Sequence, residues 1–449
     1  MEIKLSDHFG YKKLGKFTLP TVAMMVFISI YGVVDGFFVS NFVGETAFTA
    51  INFVYPVLMM LGAIGFMLGA GGSALISKTL GEGDRGKANK LFSLFIYVTL
   101  VVGTVVAVLT GIFLPQILIV LGGSGAMLDD CILYGRIILC AIPAQMLQFE
   151  FQNFFVTAEK PHYGFWFTLS AGCTNILLDA LLVAVFPLGI AGAAIATGVS
   201  QIVGGVLPLF YFIRRKNSSL LKFGRMRFDG KALLQACWNG SSEFLSNVSM
   251  SAVAMLYNAQ LMRFAGEQGV AAYGVLMYVN FTFLSCFIGY AVGIAPVIGY
   301  NFGAKNREEL KNVFSKSLRI IAVGAVAMLA LAQALAYPIS AIFVGYNAEL
   351  LQMTVHGFNV FSFGFLFAGW SIFASSFFTA LNNGLVSAVI SFIRTLVCEV
   401  ISVLVLPSVF LALGGDPLDG IWLSIVAAEV VAAVMSVIMW LVHSKKYGY

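Results

Sequence analysis

Long apolar runs recur along the whole chain, separated by short polar stretches. Twelve of them are long enough to cross a bilayer as helices, which takes about 20 residues. They lie near 14–40, 48–76, 88–115, 129–157, 163–185, 190–214, 232–262, 268–300, 311–337, 348–381, 385–411 and 420–443. Runs this long are helical spans, because barrel strands are about half the length and alternate in polarity. The predicted fold is an all-α polytopic membrane protein with twelve transmembrane helices. Several runs exceed the crossing length, and tilt or extension into solvent absorbs the surplus.

Composition agrees. Of 449 residues, 59% are hydrophobic and 10% charged, with a mean hydropathy of +0.92; a soluble domain carries about 25% charge. The net charge of +5 is spread over short loops, so no nucleic-acid partner is expected. All six cysteines fall in or beside apolar runs with no Cys-x-x-Cys pair, and the four histidines lack metal-ligand spacing. Neither a disulfide nor a structural metal site is expected. The basic stretch before the first run, and that run's length, predict a retained first helix and no cleaved signal.

Charge sets the orientation. Of 26 Lys and Arg, 23 lie on one side of the twelve-span arrangement, and only Arg136, Arg263 and Arg394 do not. The basic side holds Lys4–Lys16, the segment from Arg214 through Arg215 and Lys216 to Lys231, Lys305–Arg319 and Lys445–Lys446. The positive side is cytoplasmic, so both termini are predicted there.

The two halves repeat. Phe42-Val43-Gly44-Glu45 resembles Phe264-Ala265-Gly266-Glu267, which sets Gly44 onto Gly266. The same offset brings Gly81 onto Gly303, Arg85 onto Arg307, Phe92 onto Phe314, Ser93 onto Ser315 and Thr157-Ala158 onto Thr379-Ala380. Six spans separate the copies, so they are parallel repeats about an axis along the membrane normal. The expected organisation is a six-helix lobe over 1–214, a basic cytoplasmic linker over 215–231 and a second lobe over 232–449. The two bundles enclose a central cavity, a design suited to alternating access.

Candidate chemistry is acidic. Asp35, Asp179, Glu243, Glu399 and Glu429 fall inside apolar spans, and Glu150 joins them. A carboxylate at that depth is costly and usually faces a cavity or an ion path. Asn175 and Asp179, four apart, share a helix face. Two carboxylates together in low dielectric cannot both ionise cheaply, which suits proton exchange; with amide and hydroxyl oxygens they also make a hard-oxygen cage for Na⁺. No nucleophile or catalytic constellation appears, so no enzyme is expected. Pro20 and Gly32 give span 1 the means to bend. Arg394 and Glu399, five apart on span 11, read as an intramembrane charge pair, and Glu429 as structural.

The chain resembles the MATE family, the multidrug and toxic compound extrusion transporters, most closely its bacterial cation-efflux branch. The likeness runs end to end. It rests on Val34-Asp35 with Phe37-Phe38-Val39, Gly81-Glu82-Gly83-Asp84, Asn175-Ile176-Leu177-Leu178-Asp179, and Gly189-Ile190-Ala191-Gly192-Ala193-Ala194-Ile195-Ala196-Thr197. It implies a V-shaped pair of lobes and export of organic cations or drugs in exchange for H⁺ or Na⁺. It implies an ion-coupling site falling on Asp35, Asn153, Asn175, Asp179 and Thr197; Asp35, Asn175, Asp179 and Thr197 would hold the metal if Na⁺ is the coupling ion. The chain departs from the pattern with Glu150 in place of a second span-4 Asn, and with Thr157 where Arg is frequent. Cargo contacts are expected from Glu150, Glu243, Tyr31, Met255, Tyr257 and Tyr278. The coupling ion apart, no cofactor is expected. The expected setting is the bacterial inner membrane, multi-pass, as a monomer. One alternative is a lipid-linked saccharide flippase of the wider superfamily, disfavoured by the acidic intramembrane charge. Another is a polytopic receptor or membrane enzyme, which would carry a soluble domain or a catalytic set.

Overall fold

The structure is a computed structural model that describes residues 3–43, 45–123, 125–214 and 219–449. Gly44 of the repeat and Arg215 and Lys216 of the basic stretch lie outside the described residues. Among the described residues there are helices and no strands. The first half contributes α1 (Tyr11–Phe38), α2 (Glu45–Gly81), α3 (Arg85–Val120), α4 (Gly125–Thr157), α5 (Pro161–Asp179) and α6 (Gly189–Ile213). The second contributes α7 (Gly230–Gly303), α8 (Arg307–Val344), α9 (Ala348–Phe361), α10 (Phe365–Ala380), α11 (Gly384–Phe392), α12 (Glu399–Ala412) and α13 (Pro417–Tyr447).

Spans 7 and 8 join without a loop. They form the 74-residue α7, broken at Gly266, where φ is 62° and ψ −153°. Only glycine holds that combination without strain. Span 10 is α9 and α10 joined by a tight turn at Ser362–Gly364, and span 11 is α11 and α12 joined by a π-helical turn at Ile393–Cys398. Repeat mates recur in local detail. Asp84 caps α3 by accepting from the Lys87 N–H at 2.8 Å, and its mate Asn306 caps α8 by accepting from the Glu309 N–H at 3.1 Å. Each cap satisfies a backbone donor that the helix leaves open.

Each half has two large apolar clusters, one toward each end of its helices, and the first half adds a small third one of Val39, Val183 and Ala193. In the first half, Phe92, Phe151, Phe154, Phe155 and Phe212 fill one end, and Val54, Leu114, Tyr134 and Ile142 the other. In the second, Phe373, Phe377, Phe378 and Trp440 answer Tyr257, Phe358, Phe361 and Trp422. Hydroxyls tie α10 to α11 beside the Phe373–Trp440 cluster: Ser375 bonds Ser387 at 2.9 Å and Ser391 at 2.8 Å, and Thr379 bonds Ser387 at 2.7 Å. Such bonds are the usual polar glue between helices in lipid. Outward-facing apolar side chains such as Val101, Val105, Val108 and Ile112 on α3 are left bare for lipid.

The halves meet through α1 and α2 against α7, and glycines let the backbones touch. A Cβ on Gly71 would collide with the Ala236 carbonyl oxygen and come 2.7 Å from Gly240 N. Its repeat mate Gly293 packs on Thr18, which is the mate of Gly240. Gly289 lies so close to α1 that a Cβ would be 2.6 Å from Val22 Cα. The contacts obey the pseudo-two-fold axis that the repeat predicts.

The stretch ahead of α1 is anchored at the same end. Leu5 and Phe9 are buried; the Leu5 N–H donates to Glu159 Oε1 at 2.7 Å, and the Phe9 N–H to Glu309 Oε1 at 2.8 Å. It therefore bridges the α4–α5 turn and the start of α8. The described part of the basic connector is docked too: Leu221 is buried, and the Lys222 and Gly224 N–H groups donate to Asn89 and Ser93 of α3 at 2.9 and 3.0 Å.

Candidate cation-binding site

Asp35 and Asp179 come from distant parts of the chain to one pocket. Asp35 lies in the last turn of α1, just before a π-helical turn at Val39–Val43. Asp179 is the last residue of α5, just before a second such turn at Ala180–Val185. A π-helical turn inserts one residue into the helical register, and such turns gather at functional sites. The Asp35 carboxyl lies within interaction range of both Asp179 and Asn175. Asp179 and Asn175 are almost wholly buried, and α6 brings Thr197 to the same pocket from its third turn.

Close as they are, these groups are not fully paired. Asp35 Oδ1, both Asp179 carboxylate oxygens, Asn175 Nδ2 and Thr197 Oγ1 are buried without a well-formed hydrogen bond among the described residues. A buried polar atom without a partner carries a desolvation penalty, severe for a charged carboxylate. A proton shared between the carboxyls, or a small monovalent cation among their oxygens, would offset that penalty. The carboxylate, amide and hydroxyl oxygens are the donor set that such a cation accepts.

Two tyrosines that sequence reasoning passed over complete the wall. Tyr134 of α4 is buried within reach of Thr197, Asp35 and Asp179, and Tyr55 of α2, half exposed, interacts with Asp35 and Tyr278. Their only signal was a phenol in an apolar span, whose hydroxyl needs a polar partner when buried. Tyr31 neighbours Asp35 and Tyr55. Tyr278 reaches across from the second half, its hydroxyl 3.6 Å from where a Cβ on Gly36 would stand.

Other expected members lie elsewhere. Asn153 does not join the pocket: it sits one turn from the far end of α4, against Gly69, and its amide donates to the Phe149 carbonyl at 3.4 Å. The antiparallel run of α4 puts Tyr134, not Asn153, at the depth of Asp179. Glu150, expected as a cargo contact, is 0% exposed and packed beside Thr99, with neither carboxylate oxygen in a well-formed hydrogen bond among the described residues. Tyr257 belongs to the apolar core of the second half, stacked on Tyr273 at 5.2 Å, while Met255 is exposed. Glu243 is half-buried on α7 and interacts with Arg394.

The expected Arg394–Glu399 pair is not the one that forms. Arg394 binds Glu429 of α13 in a forked contact, Nε at 3.0 Å from both carboxylate oxygens and Nη2 at 2.7 Å from Oε1. Arg394 and Glu399 lie on the π-helical turn and at its end, where they feel each other's charge without forming an ion pair among the described residues. A facing helix supplies the better partner.

Comparison with known proteins places this geometry. The MatE family model matches residues 20–181 and again 243–405. The chain belongs to the MatE family. Each MatE match begins and ends at nearly the same place in its half, which restates the duplication. The first takes in Asp35 and Asp179, the second Glu243 and Glu399. Among its relatives is the multidrug export protein MepA of Staphylococcus saprophyticus, 25% identical over 437 residues, covering 96% of this chain and 93% of that one. MepA of Staphylococcus haemolyticus is 29% identical over 367 residues, 80% of each chain. The fold matches a crystal structure of MATE in complex with MaL6, with a TM-score of 0.91, 20% identity and 98% of each chain covered. It also matches the outward-facing conformation of a multidrug resistance MATE family transporter, at 0.90 and 20%, over 97% of this chain and 96% of that one.

Proposed function

We propose that this MatE protein is a secondary antiporter that exports organic cations in exchange for H⁺ or Na⁺. The observation that carries the reading is the pair of Asp179, fully buried, and Asp35, partly buried, with their unsatisfied oxygens. Relatives named as multidrug export proteins supply the cargo class. The setting that fits is a bacterial cytoplasmic membrane with both termini inside, because the basic residues gather on that side.

In this reading Asp35 and Asp179 hold the coupling ion, Asn175 and Thr197 orient its oxygen shell, and Tyr134 fixes Thr197. An ion entering the pocket removes the repulsion between two carboxylates and draws the end of α1 toward α5. Emptying it frees Asp35 for a cationic cargo and loosens that end. Exchange needs only that ion and cargo have opposite effects on one equilibrium between packings of α1. The crossing of α1 and α2 with α7 holds one end of the molecule shut. Alternating access then requires that this crossing part while the other end closes, a rocking of the two halves about their shared axis.

Resistance is the simplest test. Expression in a drug-sensitive bacterial host should raise tolerance of ethidium-like cations, and Asp179→Asn at equal membrane abundance should abolish the gain. A native chain that confers no tolerance and accumulates no less cation than an empty host would contradict the reading.

A further inference from the structure

Three arginines fall away from the basic side of the chain, and the structure accounts for two of them. Arg394 is held by Glu429 in the forked contact, and Arg263 lies 5.0 Å over the Phe264 ring, just before the break at Gly266. Arg136 has no such partner. It is exposed on α4, and among the described residues its side chain forms neither a salt bridge nor a hydrogen bond. Its repeat mate is Phe358, wholly buried in the core of the second half. The shared fold therefore does not ask for a cation at this position.

The position makes the arginine costly. Centred in a bilayer, the 33 residues of α4 span about 50 Å and project about 10 Å beyond each face of a hydrocarbon core about 30 Å thick. Arg136, about 16 Å from the Gly125 end, then lies about 6 Å inside that core, in the leaflet away from the basic side. Val108, Ile112 and Phe113 of the adjoining α3 are bare apolar side chains, so this surface faces lipid. Tyr134, two residues earlier and about 200° around the helix, is the side chain that α4 sends to the Asp35–Asp179 pocket. Arg136 thus points away from those carboxylates. A cation on the lipid face is tolerated when its long side chain reaches the interface or an anion. The anion that a bilayer offers within that reach is the phosphate of its lipids.

Beside Arg136 the packing leaves a hollow. Ala107, Val108 and Gly111 of α3 and Leu139 and Pro143 of α4 line a cavity of about 360 Å³ on the outer surface of the bundle, with the arginine at one end. Gly111 keeps it open: a Cβ there would meet only Leu139 Cδ1, at 3.8 Å. The two other polar groups of the wall are satisfied within their own helices. The Thr104 hydroxyl donates to the Leu100 carbonyl at 2.7 Å, and the Cys140 thiol to the Arg136 carbonyl at 3.4 Å. What remains is an apolar groove with one free cation at its headgroup end.

We propose that the groove between α3 and α4 seats a glycerophospholipid of that leaflet. Its phosphate rests on the Arg136 guanidinium, whose paired N–H donors suit two phosphate oxygens. One acyl chain lies along Gly111, Ala107 and Pro143, covering apolar surface that the two helices leave uncovered. The site goes beyond the exchange reading and does not depend on it.

Titration of lipids into the delipidated full-length protein in detergent, read by native mass spectrometry, tests the seat. Phosphatidylglycerol is one ligand, and diacylglycerol, which has the chains without the phosphate, is the other. The native chain should bind one phosphatidylglycerol at least tenfold more tightly than diacylglycerol, and excess inorganic phosphate should not displace it. Arg136→Gln should weaken that binding at least tenfold. Arg136→Lys, which keeps the charge, should recover it to within about fivefold of native, which a folding defect would not. Gly111→Leu, which fills the groove and leaves the arginine in place, should also weaken it at least tenfold. Native-like binding in Arg136→Gln, or equal binding of diacylglycerol, would overturn the phosphate contact. Native-like binding in Gly111→Leu would overturn the groove as the seat of the chain. Displacement by inorganic phosphate would make Arg136 a site for free anions and overturn the lipid.

Discussion

Gly81 and Gly303 are repeat mates, and each is pressed against the helix that carries the other. A Cβ on Gly81 would collide with the Tyr300 carbonyl oxygen, and a Cβ on Gly303 with the Lys78 carbonyl oxygen. Lys78 and Tyr300 are themselves mates at the same offset. The ends of α2 and α7 thus cross on the pseudo-two-fold axis with no side chain between them. This crossing closes one end of the molecule, and it opens only if the backbones separate.

Substituting either glycine with alanine should force that separation. The obstructing atoms are backbone, which cannot rotate aside, so each change should cost about 1–3 kcal/mol as overpacking. The structure with this end shut should lose most. Ser77, buried next to Gly299, is the reporter: Ser77→Cys should label slowly with a membrane-impermeant maleimide alone, and several-fold faster when combined with Gly81→Ala or Gly303→Ala. Equal labelling rates would mean the crossing is not the closure.

Only part of this crossing was legible in the sequence. Gly81 and Gly303 stood out at a constant offset inside one chain, because duplication leaves the same backbone requirement in both copies. Their contact was not visible, since an offset says nothing of which helices meet. Asp35, Asn175 and Asp179 were legible because a charge in lipid is costly enough to need a reason. Tyr134 and Tyr55 were not, because an aromatic residue in an apolar span usually packs. Arg394 was paired with Glu399 because the two are near in sequence, while the carboxylate that holds it, Glu429, lies on another span, and sequence does not show which spans face each other. Asn153 and Glu150 were placed by family pattern, and the packing of α4 against α2 and α3 decides otherwise.

Glu309 fastens the stretch ahead of α1. Its carboxylate accepts from the Phe9 N–H, from Asn312 at 2.9 Å, and meets His8 Nδ1 at 2.6 Å. Glu309→Ala leaves the buried Phe9 N–H without a partner, a loss of about 1–3 kcal/mol. Limited proteolysis should then cut within the first ten residues, where the native chain resists. Unchanged resistance would show that Leu5 and Phe9 burial holds the stretch alone.

Gly266 isolates a backbone effect. Nothing lies within 4 Å of where its Cβ would stand, yet its φ of +62° with ψ near −153° suits glycine only. Gly266→Ala should therefore lower stability by about 1–3 kcal/mol through strain without any clash. Thermal unfolding in detergent measures it. An unchanged midpoint would mean that spans 7 and 8 turn by another route.

The measurement that bears most directly on the account is efflux of a fluorescent organic cation from proteoliposomes, with a pH gradient and a Na⁺ gradient imposed separately, for the native chain and Asp35→Asn. The expected result is export driven by one of the two gradients in the native protein, reduced at least a hundredfold in Asp35→Asn. Gradient-driven export that survives the substitution would contradict the ion pocket, and no export under either gradient from folded native protein would contradict the exchange itself.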